Sequence, residues 1–172
     1  RPADGKETAA AWVSAMKGNQ PTAIVLTRQN LPQYEKSGRA ALWGGYILED
    51  CEGEPDVLLL ASGSEVELCV KAKAALAEKG VKARVVSMPC MEEFDKQTAL
   101  YKAKVLPASV KARVCVEAAS PLSWYKYAGD CGEFVTMDTF GASAPAGKLF
   151  EHFGFTVENV VATALASIEK AK

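Results

Sequence analysis

The sequence predicts an α/β fold: a three-layer α/β/α arrangement around a mostly parallel five-stranded sheet carrying one antiparallel strand, preceded by an α-β remnant of another α/β domain. Three observations predict it. The segment TAIVLT (22–27) is apolar at consecutive positions rather than alternating, as a strand covered on both faces requires. Beyond residue 56, strand-like and helix-length segments alternate, which makes right-handed crossovers between parallel strands. The gap between GYILED (45–50) and the next strand is too short for a crossover helix, so these two strands are expected to pair antiparallel.

Each element has a local reason. Residues 4–18 read as an amphipathic helix, with Asp4 and Glu7 spaced as a capping box, Ala9, Trp12, Val13 and Met16 on one face, and Gly18 as the stop. The strand 22–27 follows. One helix and one strand cannot cover each other on both faces, so residues 1–32 are expected to be the remnant of a separate domain. Residues 33–44, with Gly38 and Gly44, form a linker with a short helical turn. Residues 45–172 then form one complete domain: strand GYILED, strand DVLLLASG, helix 65–79, strand ARVVSMP, a helix near 95–104, strand RVCVEAA, a helix near 121–128, and strand FVTMD. Two terminal helices complete it. Ser143 and Pro145 open the first and Gly154 ends it. Thr156 opens the second, where Val157, Val160, Val161, Leu165 and Ile168 make a stripe at helical spacing.

Bulk composition removes several classes of function. The chain has 172 residues, 49% hydrophobic and 24% charged, the balance of a globular protein. Twenty basic against 21 acidic residues, with no basic cluster, argue against nucleic acid as a partner. No apolar stretch is long enough to cross a bilayer and RPADGKE is not a secretory leader, so a soluble, cytoplasmic protein is expected. The five cysteines, Cys51, Cys69, Cys90, Cys115 and Cys131, include no CxxC pair and read as reduced thiols. The first residue is Arg1 rather than Met, and a piece of something longer is expected.

In open α/β sheets ligands bind beyond the carboxyl ends of the strands, so the strand-to-helix turns are where chemistry belongs. At ASGSEVE, Gly63 permits a sharp bend, and Ser64 with Glu67 is expected to form a second capping box. Glu65 and Glu67 place negative charge where an anion would sit, which favours a cap over a phosphate site. His152 is the single histidine and has no partner for metal binding; a surface or packing role is expected. Trp124, Tyr125 and Tyr127 read as core or interface. Glu117 and Asp138 end strands, and capping or loop hydrogen bonds are expected over an acid pair. Arg28, in LTRQNLP, ends a strand with a planar fork suited to bidentate phosphate binding. From the residues alone, a structural arginine and an anion clamp both stay open.

Several phrases together bear a resemblance. RPADGKETAAAW, LTRQNLP, ASGSEVELCVKA, ARVVSMP, VLPASVKARVCVEAA, WYKYAG and DTFGASAPAGKLFEHFGFTVENVV stand in the order and at the spacing found in transketolases; CMEEFDKQTALYK is a looser match. The chain resembles the C-terminal region of that family, the end of its pyrimidine-binding domain followed by its C-terminal domain. The resemblance implies a parent that is a homodimer and moves a two-carbon ketol unit between sugar phosphates of the pentose phosphate pathway. Its cofactors would be thiamine diphosphate with Mg2+ or Ca2+. It places a substrate-phosphate contact on Arg28, with Gln29 and Asn30 in support. It also implies that the family's catalytic, cofactor-binding and metal-binding residues lie upstream of Arg1, so that this chain supplies no catalytic, cofactor or metal ligand and is inactive alone. Dihydroxyacetone synthase, a related thiamine diphosphate enzyme, is the runner-up resemblance.

Overall fold

The computed structural model describes all 172 residues. Its centre is a five-stranded sheet of β1 (Tyr46–Glu49), β2 (Val57–Ala61), β3 (Ala83–Ser87), β4 (Arg113–Val116) and β5 (Glu133–Val135), in the order β1-β3-β2-β4-β5. Strands β3, β2, β4 and β5 are parallel; β1 runs antiparallel at one edge. The mixed sheet expected from the sequence is therefore present, with one correction. The antiparallel partner of β1 is β3, with Tyr46 opposite Ser87, and not β2. The segment 50–56 does not turn back as a hairpin. It passes under the end of β3, where Asp56 N–H donates to the Lys82 carbonyl at 2.8 Å and Asp50 takes a two-pronged contact from Arg84 at 2.8 and 3.1 Å. Seven extended residues reach about 23 Å, more than two strand spacings of about 4.8 Å, so skipping a position costs no strain.

The consecutive apolar run of β2 is explained by two cores. Val57, Leu59 and Ala61 face one layer, built on α2 (Val66–Glu78) and α7 (Val157–Lys170). Leu58 and Leu60 face the other, with Phe94, Val105 and Trp124 from α3 (Met91–Asp95), α4 (Ala99–Val105) and the turn leading into α5 (Tyr125–Ala128). All five β2 residues are fully buried. The expected helix near 95–104 is two short helices, α3 and α4, the second capped by the Thr98 hydroxyl. On α7 the buried face is Val160, Val161, Ala164 and Ser167, while Leu165 is partly exposed. Ser167 earns its place by pinning the helix to the sheet: its hydroxyl accepts from Arg113 N–H at 2.9 Å and donates to the Cys131 carbonyl at 2.8 Å. The remaining helix, α6 (Ala146–His152), begins after Pro145.

Ahead of this domain lies α1 (Gly5–Lys17), capped by Asp4 as expected. Its orientation is the surprise. Trp12 is 58% and Met16 82% exposed, so the predicted apolar face points outward. The face that packs on the sheet domain carries Glu7 and Ala10 instead, with Ala3 buried just ahead of the helix. Residues 22–27 form no strand, a second correction; Val25 and Leu26 are more than half exposed. A strand needs a neighbour to take its backbone groups, and none of the five strands pairs with this segment.

Candidate functional site

The carboxyl ends of β2, β3 and β4 converge on one place. The chain crosses from β2 to β3 on one side and then jumps to β4 on the other, so the topological switch point lies between β2 and β4. Two carboxylates occupy it. Glu65, in the turn before α2, is fully buried, and Glu117, just past β4, is 5% exposed. Ser62 Oγ donates to Glu117 Oε2 at 2.6 Å; Ser64 Oγ and Ala118 N–H donate to Glu65 at 2.5 and 3.1 Å. Between the two acids sits Arg1. Its Nη1 lies 2.8 Å from Glu65 Oε2 and also forms an ion pair with Glu117 Oε1. Two buried carboxylates that meet at one place are costly without a counter-charge, and the Arg1 guanidinium between them supplies it.

Backbone contacts fix the same residue. The Arg1 carbonyl accepts from Gly63 N–H at 3.0 Å, and the Arg1 amino group donates to the Pro89 carbonyl at 2.8 Å. Gly63 has φ +58°, a conformation glycine adopts freely. The expected Ser64–Glu67 capping box is not formed: Ser64 bonds its neighbour Glu65, and Glu67 pairs with Lys71 at 2.6 Å. The turn starts with a short 3-10 helix, Gly63–Glu65, which shifts the start of α2 beyond Ser64. With two acids beside it, this turn receives a cation and would repel a phosphate.

A second polar group extends the contact. Glu7, 1% exposed, accepts from Tyr46 Oη at 2.7 Å, Ser87 Oγ at 2.6 Å and Ala3 N–H at 2.6 Å. Burial raises its carboxyl above the ordinary value, although the three donors oppose that shift. Asp4 accepts from Glu7 N–H and Tyr34 N–H, and also from the Ser37 hydroxyl, tying the linker back over the helix.

The other expected site residues are dispersed. Arg28 is exposed at a bend and has none of the carboxylate partners that hold Arg1 and Arg84. His152 is exposed, edge-on to the Phe153 ring. Trp124 and Tyr127 are core and Tyr125 is exposed; Tyr127 Oη donates to Asp95 at 2.8 Å. Asp138 is exposed and does not meet Glu117. No group of three or more His, Cys, Asp and Glu side chains is arranged to hold a metal ion. Sequence reasoning missed Arg1, Glu7 and Glu65. The one available signal was their chemistry: charged residues embedded in motifs that otherwise read as caps.

The fold and site define a class: a doubly wound α/β domain whose switch point is occupied by an arginine from the segment that precedes it. Comparison with known proteins narrows the class. The family described as "Transketolase-like TK C-terminal domain" matches residues 44–156. A transketolase of Halalkalibacterium halodurans is 51% identical over 98% of this chain and 26% of its own length. Transketolase 1 of Escherichia coli is 53% identical over 95% and 25%. The crystal structure of a Pichia stipitis transketolase in complex with sedoheptulose-7-phosphate superposes with a TM-score of 0.90 at 42% identity, covering 98% of this chain and 25% of that one. The chain belongs to the transketolase family and corresponds to its C-terminal region. It spans about a quarter of the length of the relatives it matches.

Proposed function

We propose that this chain is the assembly and substrate-phosphate part of a transketolase whose remaining residues carry the chemistry. In that parent, a homodimer, thiamine diphosphate and a divalent metal transfer a two-carbon ketol unit from a ketose phosphate to an aldose phosphate. The resemblance supports assigning the cofactor and metal to the rest of the parent, with this chain inactive alone.

The observation that carries the proposal is the state of residues 1–32. The outer face of α1 exposes Trp12, Val13 and Met16, and the segment ending at Arg28 exposes Val25 and Leu26. Each such Val, Leu or Met side chain left in water forgoes about 1.5–3 kcal/mol of burial. A sheet from the remainder of a pyrimidine-binding domain would cover these residues and give 22–27 strand neighbours, making residues 1–32 its last helix and strand and 33–44 the linker. Arg28 would then stand at a strand tip, with a fork able to hold a phosphate by two parallel hydrogen bonds.

Two measurements test this. Titration calorimetry of the chain with thiamine diphosphate and Mg2+ is expected to give no heat of binding; micromolar affinity would refute inactivity by missing ligands. In a full-length parent, Arg28→Ala is expected to raise KM for phosphorylated substrates by about ten- to a hundredfold, one lost charge-assisted contact. Cofactor affinity should not move. An unchanged KM would remove Arg28 from the substrate site.

A further inference from the structure

We propose that the crevice between β2 and β4 is a guanidinium receptor, and that Arg1 is the ligand by which residues 1–18 are docked on the α/β domain. In sheets of this class the switch point is where a mobile ligand enters. Here it is a socket for the chain's own side chain. The site is built for a flat cation. Two buried carboxylates, each anchored by a separate hydroxyl from Ser62 or Ser64, converge on Nη1. A Cβ placed on Gly63 would lie 3.2 Å from Nη2 and 3.3 Å from both Cζ and Nε. Three atoms of the guanidinium are thus almost equidistant from that one point, so the plane lies flat over the glycine. The slot between Gly63 and the two acids accepts a thin, delocalised cation; a tetrahedral ammonium matches the charge but not the shape.

Position explains the consequence. Arg1 touches the tips of all three central strands: Gly63 and Glu65 after β2, Pro89 after β3, Glu117 after β4. Three residues later Asp4 starts α1. Filling the socket therefore sets where the helix begins. The inference concerns residues 1–18 alone and stands whether or not Arg28 meets a phosphate.

The test is chemical rescue in the 172-residue chain, read by amide hydrogen exchange. In Arg1→Ala, the α1 amides of Thr8 to Ala11 are expected to exchange about tenfold faster or more, while those of β2 and β4 keep their protection. Ethylguanidinium, well below denaturing concentration, should restore the α1 protection; ethylammonium and sodium chloride at the same concentration should not. Unchanged α1 exchange in Arg1→Ala, or equal restoration by all three salts, or restoration by none, overturns the proposal. Should Arg1→Ala lose protection throughout the sheet, Arg1→Lys decides: α1 exchange faster than in the unaltered chain supports a receptor for the planar group, and exchange equal to it refutes one.

Discussion

The Glu7 carboxyl accepts from the Tyr46 hydroxyl at 2.7 Å, joining the first turn of α1 to the edge strand β1 through a buried contact. Ser87, directly opposite Tyr46 in the β1–β3 pairing, donates to the same Glu7 oxygen at 2.6 Å. Two neighbouring strands thus present hydroxyls to one acid from a segment far away in sequence. A carboxyl held there resists ionisation because burial outweighs its donors, and its folded pKa stands above the ordinary 4.5.

The sign of the linkage follows from that direction. Between the unfolded value near 4.5 and the raised folded value, the docked state binds more protons than the released one. The contribution is full below about pH 4.5 and is lost as pH rises through the folded pKa. Glu7→Gln removes the titration and keeps an acceptor for Ala3 N–H and a donor for the hydroxyls. Compared with that variant, the unaltered chain is expected to gain α1 protection as pH falls from 8 toward 5. Parallel exchange profiles for the two chains would exclude Glu7 as the titrating group.

Ser167 supports a prediction about stability alone. Its hydroxyl is the acceptor for the partly buried Arg113 N–H and lies on a helix face that is otherwise Val160, Val161 and Ala164. Ser167→Ala leaves that amide without a partner at no gain in packing, and a cost of about 1–3 kcal/mol is expected. Chemical denaturation should show the loss as a lower midpoint with an unchanged slope. A midpoint within error of the unaltered chain would mean that another acceptor reaches the amide.

Gly44 is constrained twice. Its φ is +80°, and a Cβ there would fall 2.2 Å from Phe94 N and 2.3 Å from the Cys90 carbonyl oxygen, both backbone atoms that cannot rotate away. Gly44→Ala is expected to destabilise the chain by about 2–4 kcal/mol, the sum of left-handed strain and forced displacement of α3. Gly80, also left-handed but with open space around it, is the control. Gly80→Ala should cost about 1 kcal/mol, and a larger loss at Gly80 than at Gly44 would contradict the steric account.

Most of the sheet was legible because strand-like and helix-length segments alternate along the chain, and because β2 is an unbroken apolar run buried on both sides. What failed has physical causes. The pairing of β1 depended on where a seven-residue connection lands, and chain length permits either neighbour. The strand 22–27 has the right residues, yet strands exist only in pairs. The acids at 7, 65 and 117 looked like caps because capping and ion pairing use the same side chains; only the arrival of Arg1 from a distance separates the two roles. Arg28 was singled out by its place after an apolar run, and the structure leaves its side chain exposed and unpaired with any acid.

The outward face of α1 gives the last prediction. A helix docked by polar contacts on one side and apolar on the other is amphipathic in the wrong sense for an isolated chain. Trp12 and Met16, at i and i+4, lie side by side on the exposed face. Replacing both with glutamate removes nothing from the docked interface, so stability should change by no more than about 0.5 kcal/mol. Association is a different matter. Mixed with a transketolase truncated before the matching region, the unaltered chain is expected to form a complex in analytical ultracentrifugation, and Trp12→Glu with Met16→Glu should abolish it, because two charges would enter an apolar contact without partners. Complex formation that survives both substitutions would show that the missing domain approaches from another side.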